Sequence, residues 1–322
     1  MKKISIKTAL KLFPVSLAFC FVSSFFGGCL YAFYCACTHL VAGQTLGSFP
    51  FSLFLRGILL SLPFVLAING IILILYLIRR PAPPLIPLIF YVLIVSLTWI
   101  FLIPLSWKLY DKMDAKLAKI EKLSPLSSGY FRNEDDLIYY YSRVNDDGTC
   151  DGICLDPSSD DRQLYTFSGE KLISRKSSFN DSLIETSVQS PFFIHYGFEG
   201  INILASQSHK SVNEGFGKWL CFASFGLALL SLIGTRRISS WRMLNVFFVL
   251  AFSLALFVLN ALYYGTSVFA NVAPIVDSWY KGIPFLKDAF IVSLNVLIAL
   301  VFFITGLLLD LLKKNKDLED VE

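Results

Sequence analysis

Charge is what this chain has least of. Only 16% of its 322 residues are Asp, Glu, Lys or Arg, against about 25% in an average soluble domain. Histidine is nearly missing too: His39, His195 and His209 are the only three. No two of them stand at metal-ligand spacing from each other, so no histidine-based metal centre is expected. No phosphate-cradling G-x-x-x-x-G-K-[ST], no H-E-x-x-H and no G-x-S-x-G occurs, and no S-x-x-K lies in a plausible setting. The chain therefore has no Walker-type route to ATP hydrolysis, and it is not expected to be an enzyme. No cofactor and no nucleic-acid partner is implied.

What is present is hydrocarbon. Hydrophobic residues make up 55% of the chain, with 30 phenylalanines. Charge-free runs occupy 12–38, 57–78, 85–106, 219–235, 245–276 and 289–309. Crossing a bilayer takes about 20 mostly apolar residues. Five runs meet that length, and the fourth, at 17 residues, needs Trp219 at an interface. Helices satisfy their own backbone polar groups in lipid, so six transmembrane helices are predicted. The first could be mistaken for a signal peptide, because MKKISIKTALK resembles an n-region and FFGGC (25–29) a lipoprotein cleavage box. The residues after Cys29, LYAFYCAC, stay apolar, which favours an uncleaved first helix.

The helix interiors carry no acid or base, which argues against an ion-coupled carrier or a channel. Their polar residues are Asn69, Asn245, Asn260 and Asn295, beside Pro63, Pro87 and Pro104. Asparagine in lipid reads as glue between helices before it reads as a transport site. Cys20, Cys29, Cys35, Cys37 and Cys221 read as small packing residues. Arg56, at the edge of helix two, either snorkels to head groups or meets an anionic lipid head.

Short basic loops set orientation. Lys2, Lys3, Lys7 and Lys11, then Arg79 and Arg80, then Arg236, Arg237 and Arg242, and finally Lys313, Lys314 and Lys316 all fall on one side when the helices alternate. That side is expected to be cytoplasmic, with both termini there. Lys108, Lys112, Lys116, Lys119 and Lys122 lie on the other side and oppose the rule. The division is then helices one to three over 1–106, an extracytoplasmic domain over 107–217, and helices four to six with a cytoplasmic tail over 218–322.

The middle domain opens with SWKLYDKMDAKLAKIEKL, where Leu109, Met113, Leu117 and Ile120 recur at helical spacing. An amphipathic continuation of helix three is predicted, ending at Ser124-Pro125. DLIYYYSRV, GICLD, QLYTF, KLIS, SLIETSV and FFIHYGF follow, rich in β-branched and aromatic residues with turn residues between them. They predict a small sandwich or jelly roll. Asp147-Gly148 is the expected hairpin turn, and Asp151-Gly152 a bulge or kink. Asn145, Asp147, Thr149, Asp151 and Asp156 match positions of a calcium loop. Cys150 replaces its glycine, however, and Asp156 its final glutamate, so solvated turn residues are expected. Cys150 and Cys154 on one extended strand would lie about 13 Å apart. Only a sharp bend could join them in a disulfide; otherwise they are two buried thiols.

Six helices with a β-domain between the third and fourth, and the stretch GYFRNEDDLIYYYSRVNDDGTCDGICLD, resemble the permease family of lipopolysaccharide export, the LptF/LptG (YjgP/YjgQ-like) type. The resemblance implies an inner-membrane permease whose periplasmic jelly roll receives lipid. It implies as partners a cytoplasmic ABC ATPase, a second six-helix chain or a homodimer, a periplasmic β-domain protein and membrane lipid. In the family an acidic helix between helices two and three docks the ATPase. Here that connection is IRRPAPPL, without an acid, so Arg79, Arg80, Arg236, Arg237 and Arg242 become the candidate ATPase contacts. Phe192, Phe193, Ile194, Tyr196 and Phe198 are the candidate lipid groove of the β-domain, or ordinary sandwich core. A non-transporting envelope sensor or assembly scaffold is the alternative function.

Overall fold

The computed structural model describes residues 2–41, 51–80, 85–117, 131–134, 137–145, 149–156, 164–171, 192–280 and 288–319. Among them are six helices long and apolar enough to cross a membrane: Ile6–Cys37, Phe51–Arg79, Leu85–Asp114, Phe216–Arg236, Arg242–Gly265 and Ala289–Leu311. Each contains one of the six charge-free runs or most of it. The fifth run is cut short because Thr266 turns extended after Gly265, and its hydroxyl and amide both donate to the Leu262 carbonyl. A short helix follows at Ala273–Trp279.

In chain order the helical elements begin with α1 (Lys2–Val41) and α2 (Phe51–Arg79). The third span joins α3 (Leu85–Leu97), a π-turn (Thr98–Leu102) and α4 (Ile103–Leu117). After the strands come α5 (Phe192–Glu214), α6 (Phe216–Ser231), a 3₁₀ segment (Leu232–Arg237), α7 (Arg242–Gly265), α8 (Ala273–Trp279) and α9 (Ala289–Glu319). α1 passes through the FFGGC box without a break, and α4 is the expected continuation of helix three. Its expected end at Ser124-Pro125 lies outside the described residues.

The chain forms two compact units. One comprises 1–27, 58–111 and 196–322, and the other 28–57 and 112–195. The division differs from the expected 107–217 boundaries because α5 belongs almost entirely to the first, helical unit.

That helical unit is held by aromatic packing and a few hydrogen bonds between helices. Tyr91 of α3 is fully buried and donates to the Leu230 carbonyl of α6 at 3.3 Å. Asn295 of α9 donates to Asn260 of α7 at 3.0 Å and to Ser224 of α6 at 3.1 Å, while Asn260 donates back to Asn295 at 3.2 Å. Asn69 of α2 donates to Ser16 of α1 at 2.7 Å. Asn245 holds the turn before α7, accepting from the Ser239 amide and donating to its carbonyl, both at 2.9 Å. Asn69, Asn260 and Asn295 thus join helices, as polar residues in lipid commonly do, while Asn245 braces a turn. Gly234 and Gly306 bring two elements together backbone to backbone, where a β-carbon on Gly306 would stand 2.6 Å from the Gly234 α-carbon.

The π-turn has a local cause. The Ile103 amide donates to the Thr98 carbonyl rather than to that of Trp99. The next residue, Pro104, has no N–H to offer. The Trp99 carbonyl is therefore orphaned within its own helix, and the buried Trp219 indole of α6 donates to it at 2.9 Å. A buried carbonyl without a partner is costly, so Pro104 and Trp219 act as one device.

In the other unit, β1 (Phe131–Glu134), β2 (Leu137–Val144), β3 (Thr149–Leu155) and β4 (Leu164–Lys171) form one antiparallel sheet in the order β1-β2-β3-β4. β2 and β3 pair as the predicted hairpin, from Ile138 opposite Leu155 to Val144 opposite Cys150. The turn itself, 146–148, lies outside the described residues. The predicted irregularity at Asp151-Gly152 is present as a register shift in the β3–β4 pairing between Cys150 and Gly152. Tyr139 and Tyr141 stack at 6.1 Å, and Phe167 packs edge-on to both over Gly152.

One expectation is met in part and another needs correction. The described residues form a single four-stranded sheet, and the segments expected to extend it into a sandwich or jelly roll, KLIS beyond Lys171 and all of SLIETSV, lie outside them. FFIHYGF is not a strand but the first two turns of α5, so Phe192, Phe193, Ile194, Tyr196 and Phe198 form no β-groove. Gly200, Leu204, Ser208, Ser211 and Val212 are the buried positions of α5, spaced as one helical face. Small and polar residues at three of those five positions hide that face from an apolar-period count. Gly215, at φ 118°, then separates α5 from α6.

Candidate functional site

The helical unit contains a half-open cavity of about 510 Å³. Pro63, Phe64, Ala67, Ile68 and Ile71 of α2 form one wall at helical spacing. Trp99, Ile103 and Trp107 of the third span form the next. Ile201, Leu204, Ala205 and Ser208 come from α5, Phe222, Phe225 and Leu229 from α6, and Ser253, Leu254 and Phe257 from α7. Ligand sites commonly measure about 300–1,000 Å³ and are mostly apolar with a few polar groups. Here the polar groups are unusually few.

Both serine hydroxyls of the lining are already committed. Ser253 donates to the Val249 carbonyl at 2.7 Å, and Ser208 accepts from the Trp107 indole at 2.9 Å. Polar character begins beyond Trp107 and Ser208. Asp111, one turn past Trp107 on α4, meets His209, next to Ser208 on α5, at 2.7 Å. A carboxylate only accepts, so the imidazole Nε2 carries the proton in this contact. The His209 ring lies 4.8 Å from that of Trp107, and Tyr110 stands edge-on to both. The site is thus apolar along its length and polar at one end.

Among the described side chains, no candidate residue named from sequence lines this cavity. Arg56 spends its charge on Asp114, with nitrogen and oxygen 2.6 Å apart. Arg79 is exposed, while Arg80 lies over the Tyr76 ring at 5.2 Å and donates to its hydroxyl at 3.3 Å. Arg242 is exposed at the start of α7, and Arg237 closes the 3₁₀ segment. Arg236 is nearly buried and donates to Asp310 of α9 at 2.9 Å. Tyr196 and Phe198 project from α5 into the surroundings.

The Arg236–Asp310 pair can be tested for its part in holding α9 to the 3₁₀ segment. Reversing Arg236 alone to glutamate is expected to cost about 1–3 kcal/mol, because Asp310 then faces a like charge in a poorly solvated place. The swapped pair Arg236→Asp with Asp310→Arg is expected to recover most of that loss in thermal unfolding. Failure of the swap to recover stability would show that the contact does not hold the fold.

The calcium-loop residues have structural partners. Asn145 donates to the Thr149 hydroxyl at 3.0 Å, and Asp151 accepts from the Ser168 hydroxyl at 2.7 Å and the Gly169 amide at 2.9 Å. These two bonds hold the Asp151 carboxyl below the ordinary carboxylate range. Cys150 and Cys154 are buried thiols on one face of β3. Among the described residues, no group of three or more His, Cys, Asp or Glu is placed to hold a metal ion.

Sequence reading missed Trp99, Trp107, Ser208 and the Asp111–His209 contact. Asp111 and His209 stand 98 residues apart, and only the helical form of α5 brings them together.

The six apolar helices define a multi-pass membrane protein. Compared with known proteins, the sequence matches no family model and no curated protein.

Proposed function

We propose that the chain is the permease subunit of an ABC-type exporter of an amphipathic envelope lipid, in the bacterial inner membrane with both termini cytoplasmic. The observation that carries this reading is the apolar cavity inside the helical unit, which offers hydrocarbon a place and offers an ion none. The layout supports it: six apolar helices, with a sheet inserted between the third and fourth, as in the lipopolysaccharide-export permeases. In this reading the four-stranded meander is part of a periplasmic jelly roll that receives the lipid. The basic loops around Arg79 and Arg236 lie on the cytoplasmic side, and a partner ATPase drives the cycle because this chain carries no nucleotide motif.

A non-transporting sensor or scaffold has one observation in its favour. Arg236, one of the few charges a docking ATPase could grip, is held by Asp310. Co-purification from native membranes separates the two readings. The exporter should bring down an ABC ATPase and a second six-helix chain. A monomer or homo-oligomer without an ATPase would sink export and leave the scaffold.

A further inference from the structure

Close-packed helices leave few gaps larger than a water molecule between them. The half-open cavity here, with exposed Ile68 and Leu254 in its lining, measures about 510 Å³, the size of a ligand site. Water is a poor occupant, since it needs two to four polar partners and a wholly apolar cavity stays dry. Among the described residues, the side-chain hydroxyls in this lining belong to Ser208 and Ser253, and both are engaged with the protein. Hydrocarbon is the occupant that such walls can solvate.

The polar end fixes a direction. Asp111 and His209 stand just beyond Trp107 and Ser208, and both side chains are about one-third exposed. We propose that the cavity binds the alkyl chain of a single-chain amphiphile, such as a fatty acid or lysolipid, with its polar head beside Asp111 and His209. The site lies within one chain and needs no second copy. It rests on the lipid-handling reading only for what the bound chain is used for.

The test uses the full chain in phosphatidylcholine nanodiscs and a palmitate carrying a diazirine on its alkyl tail. Photolysis followed by peptide mapping should place saturable label on α2, α5 and α7 around Ala67, Ala205 and Phe257. A tenfold excess of unlabelled palmitate should remove at least four-fifths of it. The variants Ala67→Trp and Ala205→Trp fill the space and should each reduce labelling at least fivefold. The competition arm needs no variant, so a folding failure in either leaves the test intact. A diazirine carried on the phospholipid tail, run in parallel, should label the cavity several-fold less. Greater labelling from phospholipid would assign the space to bulk lipid and overturn the proposal. Label that resists competition and spreads over exposed Phe21 and Phe247 would overturn it as well. Saturable labelling in a chain that purifies without an ATPase keeps this site and sinks export. Unsaturable labelling in a chain that brings down its ATPase does the reverse.

Discussion

Trp219→Phe is expected to destabilise the helical unit by about 1–3 kcal/mol, the cost of a buried polar group left without its partner. The smaller ring also leaves a cavity that adds to the loss, so the part due to the indole N–H that reaches the Trp99 carbonyl is read from its coupling to Pro104. Pro104→Ala supplies a backbone N–H one residue after Ile103, where the π-turn lacks a donor. In that background, Trp219→Phe should cost about 1 kcal/mol less, because only the hydrogen-bond part of the loss falls away. Thermal unfolding of the four proteins in one detergent measures the coupling directly. Equal losses with and without Pro104 would show that the proline does not create the need for Trp219. The same device holds Trp99 in place on the cavity wall, so a loosened Trp219 should also weaken alkyl labelling.

Gly306→Leu should have the larger effect, about 3 kcal/mol or more, at the upper end for overpacking. Gly306 of α9 meets Gly234 of the 3₁₀ segment backbone to backbone, and the Phe302 carbonyl lies directly over the place a Gly234 side chain would take. A leucine there cannot move aside into solvent, because the neighbour is main chain. The two elements must separate, and the Arg236–Asp310 pair close by would separate with them. Gly306→Ala should cost less, though with a measurable fall in the unfolding temperature. If leucine at 306 were neutral, this crossing would not be a tight contact in the membrane.

The helices were legible because the sequence marks them with absence. A charge-free run of some 20 residues has few folded forms open to it in lipid, and each run lies mainly within one long helix. The β2–β3 hairpin was legible for a similar local reason: an Asp-Gly pair between two aromatic or apolar runs leaves little choice. α5 was not. Its opening FFIHYGF has strand-like composition, and its buried stripe includes Gly200, Ser208 and Ser211, whose fit depends on what packs against them.

By itself, then, the sequence determined the number of spans, their approximate positions and the hairpin, since these follow from backbone hydrogen bonding and local turn chemistry. The cavity, the Trp219–Trp99 bond and the Asp111–His209 contact were decided only in the tertiary structure. Each joins residues about 100 or more positions apart, or depends on volume left over after five helices pack. Empty space has no residue of its own, and no pattern along a chain can display it.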